Sequence, residues 1–373
     1  MSDQIPLANQ TLFAELRDQC LDAQFDADFD ERGSFIKKRV KRKDYLYFQR
    51  WQDGAARQTY VGPARDPEIT KRVENFSGRI KPSFEQRRQI VRALLAAGIP
   101  RPDPTTGAVV EALWKAGFFR LRGVLVGTTA YQSYSGLLGI KLGARSMRTQ
   151  DADLAQYLAV SQDAEDSIPS MADVLKSVDD TFRPILDSSK GRHVVAFKNK
   201  GAYRVEFLTP HRGSGRHIGK PVRMPALGGV YAIPLTYLDY LIRDPVRSVM
   251  LQGAGVPVTV PAPERYAIHK LIVAVQRTDG NKVKAAKDIM QAAELILALN
   301  GIGSHVELSE AWIEAWDRGP KWRDALRRGR SLLPSPPFNA LQLSMSVGFS
   351  QLNDDSRDPP QLRDYGWSRP KGL

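Results

Sequence analysis

The sequence predicts an α+β fold, a mixed sheet with helices, and three observations carry that prediction. An apolar strand pattern, Gly123-Val-Leu-Val-Gly127, runs into a Gly-Thr turn and an apolar helix. A second strand pattern, Thr149 to Leu154, contains Asp151-Ala152-Asp153. A hairpin pattern over residues 194–208 alternates around the turn Asn199-Lys-Gly201, and helical periodicity dominates from Pro263 onward.

Composition bounds the rest. A chain of 373 residues, 42% of them hydrophobic, is long enough for two or three domains with buried cores. Cys20 is the single cysteine, which excludes an internal disulfide framework and fits a reducing compartment. It lies on the apolar stripe Leu12, Phe13, Leu16, Cys20 and reads as a small core residue. The first residues, Met-Ser-Asp-Gln-Ile-Pro, have neither the basic nor the apolar region of a signal peptide. No apolar run reaches membrane-spanning length, so a cytoplasmic protein without a membrane partner is expected. A net charge of +13 and a pI near 9.7 favour a polyanionic partner, nucleic acid first.

The elements follow in order. Residues 8–24 read as an amphipathic helix. The basic run Phe35-Ile-Lys-Lys-Arg-Val-Lys-Arg-Lys43 leads into Asp44-Tyr-Leu-Tyr-Phe-Gln-Arg-Trp51. The turn Gln52-Asp53-Gly54 then returns the chain along Gln58–Pro63, a basic and aromatic hairpin. Helices are expected near 66–78, at 84–97 with Ser83 as cap and Gly98 as stop, and at 108–116, with residues 100–106 as loop. The helix after Gly127 covers 129–138. Ser170 and Asp173 open another, whose apolar positions Met171, Val174, Leu175, Val178, Phe182 and Ile185 recur every three or four residues. A strand pair is expected at 248–260. Helices follow at 263–276, at 281–299 with Asn281 as cap, and near 309–317 and 320–332. The domain reading is 1–117 (basic hairpin and helices), 118–262 (catalytic sheet), 263–333 (helical) and 334–373 (a Pro-rich, partly disordered tail).

The chemistry lies in three acids. Residues i and i+2 of a strand face one side, so Asp151 and Asp153 can share ions. Glu206 is the odd residue in Val205-Glu206-Phe207 and shares its face with Arg204. Two Mg²⁺ ions roughly 3.5–4 Å apart activate an attacking oxygen and stabilise a leaving one. Magnesium suits carboxylate oxygens and keeps waters, so few protein ligands are needed. Gly127, Thr128 and Thr129 offer a phosphate a bare backbone, hydroxyls and a helix start. The bland alternatives are an ordinary N-cap threonine and a solvent-facing strand glutamate.

This order resembles the nucleotidyltransferase fold of the DNA polymerase β superfamily. More narrowly, Gly123–Tyr131, Arg148-Thr-Gln-Asp-Ala-Asp153, Lys43–Gln49 and Tyr60–Pro63 look like a bacterial family of nucleotidyltransferase-fold proteins of unassigned substrate. The superfamily usually has Ser or Gly where this chain has Thr128. The resemblance implies an NTP substrate, two Mg²⁺ ions held by Asp151, Asp153 and Glu206, and nucleotide contacts from Gly127, Thr128, Thr129 and Arg148. A second stretch, Val260–Leu271 with Lys284-Ala-Ala-Lys287-Asp288-Ile289, is similar to the AbiEii-type toxin nucleotidyltransferases. It implies a triphosphate contact for Lys270 and a supporting catalytic role for Asp288. The plain alternative for both is surface charge.

The expected activity is therefore transfer of a nucleoside monophosphate from an NTP to an acceptor hydroxyl. RNA or tRNA is the first choice of acceptor, and a toxin or phage-defence role is an analogy. A protein of the same fold that binds nucleic acid or regulates without catalysis is the rival. Lys37, Lys38, Arg39, Lys41, Arg42 and Lys43, with Tyr45, Tyr47, Phe48 and Trp51, are the expected RNA surface. The five histidines have no zinc-ligand spacing, Gly213-Ser-Gly215 lacks a dinucleotide spacing, and no Walker A sequence occurs.

Overall fold

The computed structural model describes residues 4–28, 33–40, 42–52, 55–74, 76, 84–143, 147, 149–164, 166–187, 193–211, 220–277, 281–353 and 361–367. The chain divides into two compact units. One holds Leu7–Ser133 and Thr149–Val260; the other holds Met1–Pro6, Tyr134–Arg148 and Pro261–Leu373.

The first unit begins with α1 (Leu7–Asp28), β1 (Gly33–Val40), β2 (Lys43–Gln52), β3 (Ala55–Pro63), α2 (Pro67–Glu74), α3 (Phe84–Ala96) and α4 (Pro104–Lys115). It continues with β4 (Val124–Val126) and α5 (Gly127–Tyr131). The helix α6 (Tyr134–Leu138) belongs to the second unit. Back in the first come β5 (Asp151–Ala155), α7 (Leu158–Asp163), α8 (Met171–Lys176), β6 (Arg183–Leu186), β7 (Val194–Lys198) and β8 (Arg204–Pro210). It closes with β9 (Val222–Arg223), β10 (Tyr231–Leu235), α9 (Leu238–Leu241), β11 (Val246–Met250) and β12 (Val256–Val260). The second unit is completed by α10 (Pro263–Ala274), α11 (Lys282–Gly301), α12 (His305–Asp317), α13 (Pro320–Ser331) and α14 (Ser335–Leu352).

The central sheet runs β4-β5-β8-β10-β9, with β7 pairing both β8 and β6. It is mixed: β5 and β10 lie parallel to β8, while β4, β7 and β9 are antiparallel to their neighbours. The fold is α+β, as the patterns predicted. Val205 and Phe207 of β8 are fully buried, which fixes its register and turns Arg204 and Glu206 to the other face.

The α1 stripe Phe13, Leu16, Cys20 is buried, and Cys20 Sγ lies 3.5 Å from Ala254 O beside β12. Burial pushes the Cys20 thiol up to about 12, in keeping with an inert core residue. Arg120 ties Tyr60 O, at 2.9 Å, to Asp166, at 2.6 Å. These contacts lie within the unit that holds Leu7–Ser133 and Thr149–Val260.

Four local expectations are corrected. The basic hairpin is a three-stranded antiparallel sheet, because Phe35 of the basic run pairs with Phe48 and packs on it and on Phe76. The helix expected over 171–185 stops at Lys176. Asp179 accepts from Thr181 N (2.9 Å) and Thr181 Oγ1 (2.6 Å), which fixes a turn, and residues 183–186 then pair with β7. The helix expected over 129–138 is two five-residue pieces. Residues 335–352 form a helix instead of a tail, since Pro336 and Pro337 occupy its first turn, where proline is tolerated. The strand β10 escapes sequence reading because Pro234 interrupts its pattern. The turn residues Asp53 and Gly54, the Ser83 cap, Gly213-Ser-Gly215, and 354–360 with 368–373 of the tail lie outside the described residues.

Candidate active site

The site is built on three adjacent strands of the first unit. Strand β4 is wholly buried and ends in Gly127, whose φ of +64° is the left-handed region. A side chain there would be strained, and its Cβ would also overlap Asp153 Oδ2. Glycine is therefore required twice over, and the bare backbone lies directly against the carboxylate.

Along β5 burial alternates: Asp151 and Asp153 are half-buried, while Ala152 and Leu154 are fully buried. Both carboxylates thus occupy the accessible face. Strand β8 runs parallel in the register Asp151↔Arg204 and Asp153↔Glu206. Residues paired this way on neighbouring strands point to the same side, so three acids and one arginine share a face. Arg204 Nε lies 2.5 Å from Glu206 Oε1, so Glu206 is held by its own strand neighbour.

Hydroxyls fix the rest. Thr149 Oγ1 donates to the Asp151 carboxylate. Thr129, read from the sequence as a phosphate contact, is buried, and its Oγ1 donates to Asp151 O at 2.9 Å. It therefore fastens β5 to the glycine turn. Thr128 stays half-buried at that turn. Because α5 has only five residues, its dipole adds little at that turn.

A relay missed by sequence reading, buried at Tyr203 and Thr106 and ending on the exposed Asp103, lies near the acids. Tyr203 OH donates to Thr106 Oγ1 at 2.9 Å, and Thr106 Oγ1 donates in turn to the Asp103 carboxylate. Burial first, then the charges of Asp103, Asp151 and Asp153, push the Tyr203 phenol above its ordinary range, so it stays protonated. The signal available was Asp103-Pro-Thr-Thr106, an N-cap with proline at the first helical position; Asp103 does cap α4 through Thr106 N at 3.0 Å.

Among the described residues no three His, Cys, Asp or Glu side chains are gathered as a ready-made metal cluster. The donor set nevertheless suits magnesium, which takes one or two carboxylates and fills its remaining positions with waters and substrate phosphates. Asp151 and Asp153 meet that need alone. Glu206 joins them only by loosening its bond to Arg204.

Lys270 and Asp288 belong to the second unit. Both are buried, with Lys270 Nζ 2.6 Å from Asp288 Oδ1 and 5.1 Å from the Tyr266 ring centroid. Arg277 adds two contacts at 2.9 Å to Asp288 Oδ2. They are not surface charge, the plain alternative read from the sequence. Arg277, unremarked in the sequence, is Asp288's second cation. Arg148 and Lys41 lie outside the described residues.

The expected RNA surface is partly corrected. Tyr47 and Phe48 are buried and cannot stack on bases, and Tyr47 OH donates to Ala164 O at 3.3 Å. Trp51 is 73% exposed. Lys37 and Arg39 are exposed and lie 3.2 and 3.9 Å from Asp44.

The chain belongs to a nucleotidyltransferase family, whose model matches residues 104–317, more than half its length. That span runs from the first residue of α4 to the last of α12 and contains Asp151, Asp153, Glu206 and Asp288. No curated protein and no solved structure matches the chain significantly. No helix among the described residues is long and apolar enough to cross a membrane.

Proposed function

We propose that the protein is a Mg²⁺-dependent nucleotidyltransferase that moves a nucleoside monophosphate from an NTP to an acceptor hydroxyl and releases pyrophosphate. The observation that carries this reading is the shared accessible face of Asp151, Asp153 and Glu206 beside the bare backbone of Gly127. Family membership supports the reaction class. Asp151 and Asp153 would hold two Mg²⁺ ions, with Glu206 completing the set. When bound, such ions offset triphosphate charge and stabilise the leaving oxygen.

The chain's own residues do the rest. Gly127 admits the β- and γ-phosphates to the backbone, and the Thr128 hydroxyl bonds them. Arg204 holds the Glu206 carboxylate along the shared face, where Glu206 can accept the acceptor's hydroxyl proton. Thr129 and Thr149 hold Asp151 in place. Tyr203 stays protonated and brings no further negative charge to the site. The resemblance to AbiEii-type enzymes supports Lys270 as a triphosphate contact and Asp288 as its support, and Arg148 is a further nucleotide contact.

RNA, tRNA in first place, is the proposed acceptor in a cytoplasmic setting. The net charge of +13 and the basic run of Lys37, Lys38, Arg39, Lys41, Arg42 and Lys43 support that choice. A toxin or phage-defence role follows only by analogy. The test is incubation with each α-labelled NTP, Mg²⁺ and total RNA, comparing the wild type with Asp151→Asn/Asp153→Asn. Label on an acceptor with the wild type alone is expected. No labelling by the wild type across all four NTPs would favour the rival, a nucleic-acid-binding or regulatory protein without catalysis.

A further inference from the structure

Six arginines line one cleft of about 710 Å³ in the first unit. It opens at the far end of the β4–β5 pair from the acids. Val124 and Tyr157 line it, whereas Val126 pairs with Asp153 at the other end. The four residues from Asp153 to Tyr157 span roughly 13 Å at the usual strand rise.

The arginines divide into two sets. Arg72, Arg120 and Arg247 are half-buried clamps. Arg72 Nε lies 3.1 Å from Asp22, and Arg120 Nη1 lies 2.6 Å from Asp166. Arg247 reaches Glu68 at 2.5 Å and Asp66 at 3.3 Å. Burial lowers the Arg247 guanidinium's proton affinity even beside those two acids, so this wall is desolvated. Arg65, Arg122 and Arg243 are exposed. Arg65 and Arg122 form no ion pair among the described residues. Arg243 has its chain neighbour Asp244 at 3.5 Å, where water screens the contact.

Backbone geometry marks the same place. Arg122 (φ 61°) and Asp244 (φ 47°) both sit in the left-handed region that non-glycine residues rarely adopt, and both line this cleft. Such outliers concentrate at functional sites. Val61, Ile69, Phe119, Ile242 and Val258 supply an apolar lining.

We propose that this cleft binds a free phosphorylated small molecule of nucleotide size, at a second site separate from Asp151 and Asp153. Arg65, Arg122 and Arg243 grip the phosphate, and the apolar lining receives the base or other flat body. Guanidinium forks match phosphate geometry, and the volume lies in the range of small-molecule sites. A nucleic-acid strand fits less well. Strands are tracked by exposed aromatics in series, and the two aromatics here, Phe119 and Tyr157, are half-buried, with Tyr157 OH donating to Asp239 O at 2.9 Å.

The test uses the full chain carrying Asp151→Asn/Asp153→Asn in EDTA, so that metal-dependent NTP binding is silenced. Calorimetry with AMP, ADP and inorganic phosphate should detect binding of a nucleotide. Arg65→Glu/Arg243→Glu should weaken it at least tenfold at an unchanged melting temperature, and Arg65→Lys/Arg243→Lys, which keeps the charge but loses the fork, should weaken it less than the charge reversal does. No binding of any probe, or equal binding after charge reversal, overturns the proposal. So does arginine-dependent binding seen only with a single-stranded RNA 20-mer. Because the acids are already disabled, the outcome is independent of whether the protein transfers nucleotides.

Discussion

Gly127 and Asp153 occupy adjoining space so closely that a single methyl group on Gly127 would overlap the Asp153 carboxylate. The turn after β4 and the acid on β5 are thereby one device. Gly127→Ala is expected to cost about 1–2 kcal/mol of stability from its left-handed backbone and the collision. Displacing Asp153 by about 1 Å should lower transfer about 100-fold. Thermal melts and NTP labelling of the same preparation measure both. A variant with wild-type turnover would show that Asp153 does not need its position.

Arg204 and the proposed cations compete for one carboxylate. Arg204→Gln should lower the Mg²⁺ concentration giving half-maximal labelling. Both partners are a third to a half exposed, so the stability change should stay below about 1 kcal/mol. A Mg²⁺ titration in which the half-maximal concentration stays put or rises would separate Glu206 from metal binding.

Asp288 holds two cations inside the second unit, and Lys270 is buried with it. Asp288→Asn strands those charges and should cost about 3–5 kcal/mol in urea unfolding. Lys270→Met/Asp288→Leu should recover most of the loss, because Arg277 is a third exposed and can turn to water. If the double variant is stable yet inactive, the pair also serves the reaction; if stable and active, its role is structural.

His269 sits beside this network, and its Nδ1 is buried with no hydrogen-bond partner among the described residues. Burial first, then the Lys270 charge, pushes its pKa down to about 3. The folded state thus binds this proton less well than the unfolded chain. Stability from this residue is complete above an unfolded pKa of about 6.5 and is lost as pH falls toward about 3, at up to about 1.4 kcal/mol per pH unit. Urea midpoints of wild type and His269→Gln should diverge between pH 7 and pH 5, with the wild type the steeper. Parallel curves would show that the imidazole is accessible to protons.

The three-stranded basic sheet can be tested as an RNA surface. Replacing Lys37, Lys38, Arg39, Lys41, Arg42 and Lys43 with Glu should abolish RNA binding and flatten its salt dependence. Trp51→Ala alone should weaken binding by about 1–3 kcal/mol if the exposed ring stacks on a base. RNA affinity unchanged by the six-fold reversal would move the acceptor elsewhere.

Much of the candidate site was legible because strand period and local turns are short-range. Gly127 had to end a buried strand, and i,i+2 spacing put Asp151 and Asp153 on one side. Glu206 was readable as the polar exception in β8, though its register against Asp153 needed the parallel pairing of distant segments. The Tyr203–Thr106–Asp103 relay joins residues about a hundred positions apart, which no local pattern reports. Val178, Phe182 and Ile185 matched helical spacing, yet the Asp179–Thr181 turn and pairing with β7 prevailed, since tertiary contacts outweigh periodicity. The arginine cleft gathers side chains from six separate segments, each ordinary in its own stretch.

The most direct measurement compares α-labelled with γ-labelled NTP as donor in the presence of Mg²⁺ and total RNA. The account predicts acceptor labelling from the α-label only, lost in Asp151→Asn/Asp153→Asn, with pyrophosphate released. Transfer of the γ-label, or α-labelling that survives loss of both carboxylates, would contradict it.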